Sequence, residues 1–162
     1  MSKYPVVIGR FEHIDLVGIL EAIPAKIDTG AYRSSIHATD IKVVEKNGKM
    51  VLRFTLLGHP AHQKHRTIEV RTYKTRQVKS SNGHISSRYE VNLKIRLGYK
   101  IFITPFTLSD RGSNIFPVLI GRKALNKRFL VDSDKTGVNR MELRLAAASV
   151  PFDEEDLEGV NA

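Results

Sequence analysis

Ala25-Lys26-Ile27-Asp28-Thr29-Gly30-Ala31 is the stretch on which the reading of this chain turns. It closes an apolar segment containing Leu20, Ala22 and Ile23 with one carboxylate, one hydroxyl and one glycine. A strand that stops in Asp-Thr-Gly carries an acid at its tip. Gly30 allows a backbone turn with φ > 0, a conformation most side chains resist. Thr29 offers a hydroxyl to a neighbouring backbone group. Asp, Thr and Gly also build ordinary loops, so the tripeptide alone fits a plain turn as well as a functional acid.

Upstream of it, residues 5–10 and 14–23 read as two short strands, with Gly18 marking a bulge in the second. Downstream, residues 36–57 read as a hairpin. Ile41, Val43 and Val44 precede Asn47-Gly48, and Val51, Phe54, Leu56 and Leu57 follow it; Asn-Gly between β-rich runs is the strongest short hairpin signal. Residues 58–66 read as a polar loop. Residues 67–78 alternate as one strand, and 79–87 form a small-residue turn holding a second Asn-Gly at 82–83. Val91, Leu93, Ile95 and Leu97 repeat with period 2, Gly98-Tyr99 is a turn, and 100–108 is the returning strand. Helical periodicity is confined to Arg122–Lys127, after Leu119-Ile120-Gly121. Phe129–Asp132 returns to strand, and Met141–Leu145 is a last strand candidate. Short strands joined by Gly and Asn turns predict an all-β, closed or sandwiched domain with one short C-terminal helix.

With 162 residues, 41% of them hydrophobic, the chain can bury one core of normal size. The expected division is a domain over 1–150 and an acidic, disordered tail over 151–162. No cysteine is present, which excludes disulfides, thiolate metal sites and a cysteine nucleophile. No apolar run approaches the roughly 20 residues of a membrane span, and Met1-Ser2-Lys3-Tyr4-Pro5 lacks a signal-peptide core; a soluble, cytoplasmic protein without a membrane partner is expected. Charge is uneven. All 26 Lys and Arg precede residue 153 and face 12 acids there, a net of +14, whereas Asp153, Glu154, Glu155, Asp156 and Glu158 give the tail −5. A basic body suits an acidic partner, a ribosomal surface or nucleic acid, and equally a solubilising excess. The opposite tail could occupy a basic cleft and block it.

The order Asp28-Thr29-Gly30-Ala31, then Ser34-Ser35-Ile36-His37-Ala38, then Val118-Leu119-Ile120-Gly121-Arg122 with Lys123-Ala124-Leu125 and Leu130-Val131-Asp132, resembles the retropepsin-like aspartic proteases. More closely it resembles the bacterial family often labelled "ATP-dependent zinc protease", also found beside RimK-type glutamate ligases. The resemblance runs from about residue 6 to about residue 145. It implies a closed β-barrel of the acid-protease type and aspartic endopeptidase activity, with Asp28 as the catalytic acid. Thr29, Gly30, Ala31, Ser34, Ser35, Gly121 and Arg122 are its implied supports, and Ser81, Asn82, Gly83 and His84 its flap. Two departures stand out. Tyr32 occupies the place of an acid that in retroviral proteases pairs with the Arg of the Gly-Arg turn, so Arg122 needs another partner. The flap segment Lys79–Ser87 is polar and has one glycine.

Aspartic proteolysis needs two carboxylates sharing one proton, because like charges at that distance cannot both ionise. The chain holds one Asp-Thr-Gly. The implied enzyme is therefore a C₂ homodimer in which each subunit brings one Asp28 to the axis, Thr29 bonds across it, and Gly30 presents backbone to a peptide or protein substrate. Acidic or glutamylated peptides are the expected class. Ser34 and Ser35 either bond the outer oxygen of Asp28 or serve the turn. No cofactor is expected: there is no phosphate loop and no His-Glu-x-x-His. His13 and His37 are expected to be partly buried hydrogen-bonding residues. Two alternatives come from other classes. One is a non-catalytic RNA- or ribosome-binding module using Lys74, Arg76, Lys79, Arg88 and the Lys64–Arg66 cluster, with Tyr73 to stack. The other is a zinc hydrolase built on His59, His62 and His65.

Overall fold

A computed structural model gives the structure of the protein and describes residues 5–79 and 81–138. The expected strand at 141–145 and the acidic tail lie outside the described residues. Eleven strands and one short helix are present among those described. They are β1 (Val6–Ile8), β2 (Phe11–Leu16), β3 (Leu20–Ile27), β4 (Ser34–Lys46), β5 (Lys49–His59), β6 (His62–Val70), β7 (Lys74–Lys79), β8 (Ile85–Leu97), β9 (Lys100–Ser109), β10 (Val118–Ile120), α1 (Arg122–Leu125) and β11 (Phe129–Val131).

Six of these strands close on themselves. The order β10-β3-β2-β8-β9-β4 returns to its start because β10 also pairs with β4. The closing strand is only three residues long, yet it runs parallel to β3 (Ile120 beside Ile27) and antiparallel to β4 (Leu119 beside Ser35). The fold is thus the closed retropepsin-like barrel with one short helix that the motif order implied. Closure leaves no free edge within the ring. Its interior is filled by the period-2 residues: Val91, Leu93, Ile95 and Leu97 of β8 are all buried, as are Ile14, Leu16, Ile23, Ala25, Ile36, Phe102, Phe106, Val118 and Ile120. The β4–β5–β6 sheet extends from the ring, and β7 hangs from β8 as a hairpin.

Several local expectations change. Residues 14–23 are not one bulged strand. Gly18, at φ +77°, sits in the turn between β2 and β3, where Ile19 N–H bonds the Leu16 carbonyl. The segment 58–66 is not a loop: β5 runs to His59 and β6 starts at His62, so the reversal takes only Pro60 and Ala61. Nothing in the composition of these residues favours strand. They are drawn into one by pairing with β5, from His59–His62 to Leu52–Val70. The run 67–78 breaks at 71–73, because β6 pairs with β5 whereas β7 pairs with β8. The Asn47-Gly48 turn is as expected, with both residues at positive φ (54° and 75°), the backbone of a type I′ hairpin.

Candidate active site

Asp28 is the first residue after β3, and the geometry of β10 determines its setting. Because β10 lies between β3 and β4, the chain from 28 to 33 must cross over the end of β10 to reach β4. Asp28 N–H bonds the Ile120 carbonyl at 2.8 Å, continuing the parallel ladder by one step. On the other side of the crossing, Arg122 N–H donates to Ala31 O (2.8 Å) and Lys123 N–H to Tyr32 O (2.9 Å). The first turn of α1 therefore spends its otherwise unpaired N–H groups on the acid-bearing loop.

Gly121 is required by that crossing. A Cβ there would stand 2.6 Å from Arg33 O and 2.7 Å from Tyr32 O. Its N–H bonds Ser34 Oγ at 3.0 Å, so Ser34, fully enclosed at the start of β4, secures the second motif to the first. Ser35 Oγ instead accepts from Arg111 Nη1 at 3.2 Å. Of the two possibilities left open for these serines, the hydrogen bonds favour the structural one. Arg122 finds its substitute partner in the Thr29 carbonyl, 3.1 Å from Nη1, and its guanidinium also lies 5.8 Å from the centre of the exposed Tyr32 ring.

The Asp28 carboxylate accepts the Gly30 N–H on Oδ1 at 2.9 Å. Gly30 does not use the positive φ open to it. Its lack of a side chain matters for another reason: a Cβ would lie 3.2 Å from Asp28 Oδ1. Asp28 is half-buried, whereas Thr29 and Gly30 are exposed. Ser81, Asn82, Gly83 and His84 form the tip between β7 and β8, with Gly83 at φ +85°. The base of that hairpin is tied to the active loop: Arg33 Nη1 meets the buried Glu90 carboxylate at 2.7 Å, and Arg76 Nε approaches the same oxygen at 3.5 Å.

One wall escaped the sequence reading. The segment 110–117 between β9 and β10 carries Arg111, whose N–H donates to His37 Nδ1 (2.8 Å) and whose carbonyl accepts from His59 Nε2 (2.9 Å). Asn114 O lies 3.0 Å from the same His59 nitrogen, and Ala61 N–H donates to His59 Nδ1. Phe116 stacks on Phe11 with ring centres 4.7 Å apart. Arg111 itself donates from Nε to Phe116 O and from Nη1 to Ser35 Oγ. Burial pushes its guanidinium below the usual arginine range, Arg88 pushes in the same direction, and the Asp28 carboxylate opposes both. It remains charged. The only sequence signals for this wall were His37 and His59 themselves, whose partner lies more than fifty residues away.

These contacts also extend to the histidine cluster. His59 is buried with both ring nitrogens engaged by backbone, and His62 turns its ring nitrogens to the carbonyls of Lys64 and Glu21. Among the described residues no group of three His, Asp or Glu side chains is placed to hold a metal ion. The basic residues considered for RNA divide between β6 (Lys64–Arg66) and the β7–β8 hairpin.

A pH dependence follows. His37 accepts the Arg111 N–H on Nδ1, so it serves the wall as a neutral ring. Burial depresses the His37 pKa most, followed by neighbouring His59; Arg111 also depresses it, while Asp110, 3.7 Å away, works the other way. A histidine with a depressed folded pKa contributes stability that is complete above its unfolded value of about 6.5 and is lost as pH falls through the folded value. His37→Asn, which can keep an acceptor for Arg111 N–H, is expected to flatten that acid-side loss. Chemical denaturation from pH 7.5 to 4.5 measures it; an unaltered slope would refute the assignment.

A family model described as the retropepsin-like aspartic endopeptidase RimB matches residues 7–142. A probable alpha-L-glutamate ligase of Shewanella halifaxensis is 34% identical over 140 residues, 84% of this chain and 30% of that protein. One from Desulfotalea psychrophila is 32% identical over 117 residues, 70% of this chain and 25% of that protein. The chain thus spans less than a third of these relatives' length. Among solved structures, a Legionella pneumophila protein of unknown function is similar at TM-score 0.69 and 30% identity, over 85% of this chain and all of that one. The barrel closed by β10, the Asp-Thr-Gly loop bound to the Gly-Arg turn, and a match over most of the chain agree: the protein belongs to the RimB-like family of retropepsin-like aspartic endopeptidases.

Proposed function

We propose that the chain is one subunit of a homodimeric aspartic endopeptidase. In this reading two Asp28 carboxylates meet at a two-fold axis and share a proton. The ionised member takes a proton from water as the oxygen attacks the scissile carbonyl, and the protonated member donates to the carbonyl oxygen. The proton is then passed to the leaving amine as the tetrahedral intermediate collapses. The observation that carries the reading is the Asp28 loop: a half-buried carboxylate with exposed Thr29 and Gly30 beside it, held from beneath by Gly121, Arg122 and Ser34. Rigid backing with an open outer face suits an acid that must meet its twin.

The substrate in this reading is an acidic or glutamylated peptide in the cytoplasm. The +14 excess before residue 153 supports it, and so does the similarity to proteins named as glutamate ligases, whose product chemistry is acidic. Among the described residues no helix is long and apolar enough to cross a membrane.

The test is concentration. Cleavage of a glutamate-containing peptide, followed from nanomolar to micromolar protein, is expected to show specific activity rising with protein concentration to a plateau. Sedimentation should place the monomer–dimer transition in the same range. A monomer with full specific activity at every concentration would defeat the proposal, because a single Asp28 cannot supply both protonation states.

A further inference from the structure

Three guanidinium groups converge on one face of the flap hairpin, and only some are neutralised. Arg88 and Glu90 are two residues apart on β8 and so share a face; Arg76 lies directly opposite Arg88 on β7. That face is turned to the active loop, because Glu90 reaches Arg33 there. Glu90 is already committed to Arg33 and Arg76. Arg88 has no carboxylate within ion-pair distance among the described residues. The same holds for Arg111, whose side-chain hydrogen bonds go to a carbonyl and a hydroxyl, both neutral. Glu90 pairs with Thr107 of β9, so Arg88 stands one two-residue step further along, towards Ser109, and Ser109 pairs with His37, which accepts the Arg111 N–H. Arg88 and Arg111 are each partly buried, and like charges held in such positions are costly unless an anion joins them.

We propose that Arg88 of the flap and Arg111 of the 110–117 wall form a carboxylate-binding subsite that grips an acidic side chain next to the bond being cut. The subsite rests on the endopeptidase reading and adds to it the residues that select the substrate. Arg88 sits on the hairpin that would close over the cleft and Arg111 on a fixed segment, so an acidic side chain between them would draw the flap down. Arginine suits the task because its planar fork can bind a carboxylate with two parallel hydrogen bonds. A glutamine of the same shape would leave both charges unmatched.

The experiment compares three peptides that differ only in carrying Glu, Gln or Lys beside the cleaved bond. Wild-type kcat/KM is expected to favour Glu over Gln by about ten- to a hundred-fold, the value of hydrogen bonds to a charged group. Arg111→Gln should reduce that ratio by about tenfold. Arg88→Glu, at a position with no ion pair to break among the described residues, should reverse the order so that Lys exceeds Glu. An unchanged Glu:Gln:Lys order in folded Arg88→Glu overturns the subsite. The same three peptides are titrated by fluorescence anisotropy against Asp28→Asn protein, in the presence and absence of a short unstructured RNA. Preferential binding of Glu that is lost in the Asp28→Asn, Arg88→Glu double variant supports the subsite even if no peptide is cleaved, in which case only the endopeptidase reading fails. Equal binding of all three peptides, or displacement of the Glu peptide by RNA at lower concentration than by its own Gln analogue, overturns it.

Discussion

Asparagine at position 28 is expected to reduce peptide cleavage by about 10³-fold or more, near the top of the range for a lost acid–base group, with little effect on the fold. The structural cost is small because the native carboxylate makes one internal hydrogen bond through its side chain, accepting Gly30 N–H on Oδ1. An asparagine Oδ1 accepts it equally well. The other anchor, from Asp28 N–H to Ile120 O, is backbone and survives any substitution. What asparagine cannot do is exchange a proton. In a site assembled from two identical halves the loss has a second signature. Wild-type chains mixed with an equal amount of Asp28→Asn chains, then allowed to re-pair, should leave both acids in only about a quarter of all dimers, about half the number the wild-type chains formed alone, as random pairing about a two-fold axis requires. Thermal melting of the variant should follow the wild type while cleavage disappears. A variant that cleaves normally would remove Asp28 from the chemistry.

Gly121→Ala carries a large expected structural penalty. Its φ of −96° is open to any residue, so the effect comes from space alone. The added methyl would meet Arg33 O at 2.6 Å, Arg33 C at 2.7 Å and Tyr32 O at 2.7 Å. All three are backbone atoms, so no side-chain rotation relieves them. Relief requires the crossing loop to lift, which strains the Arg122–Ala31 and Lys123–Tyr32 bonds and the Ser34 cap on Gly121 N–H. Overpacking of this kind costs about 3 kcal/mol, to be read from urea or guanidinium midpoints. Cleavage should fall further than stability, because the lifted loop carries Asp28, and a misplacement of about 1 Å can cost on the order of a hundredfold in rate. Gly48→Ala is the control. An added Cβ there meets nothing within 4 Å, leaving only a left-handed backbone penalty of about 1 kcal/mol. Equal losses at the two positions would show that the crossing is slack.

Much of this architecture was legible in short stretches. Asn47-Gly48 announced its hairpin because the turn needs two residues at positive φ and few others take it readily. Val91 to Leu97 announced a strand because one face of β8 is buried and the other is not. The 58–66 segment could not be read that way. Its histidines and lysine resemble a solvated loop, and its strand character is borrowed from β5. Gly18 was visible as a breaker, but local chemistry alone does not tell a bulge from a two-strand turn. The site divides along the same line. Asp28, Gly121 and Arg122 were readable as motifs. Arg111, Glu90 and Arg33 were not, since each is an ordinary surface residue until its partner arrives from another strand.

The amino-acid order alone determined where the acid stands, which turns reverse the chain, and that one polypeptide holds one Asp-Thr-Gly. These depend on backbone conformation and side-chain period, which neighbouring residues control. Only the folded barrel decided what surrounds the acid. Inserting three residues of β10 between β3 and β4 brings Gly121 under Arg33 and Ser34 against Gly121, and places Arg111 among His37, His59 and Ser35. Those contacts join residues more than fifty positions apart, and ring closure, which no local pattern encodes, is what brings them within reach.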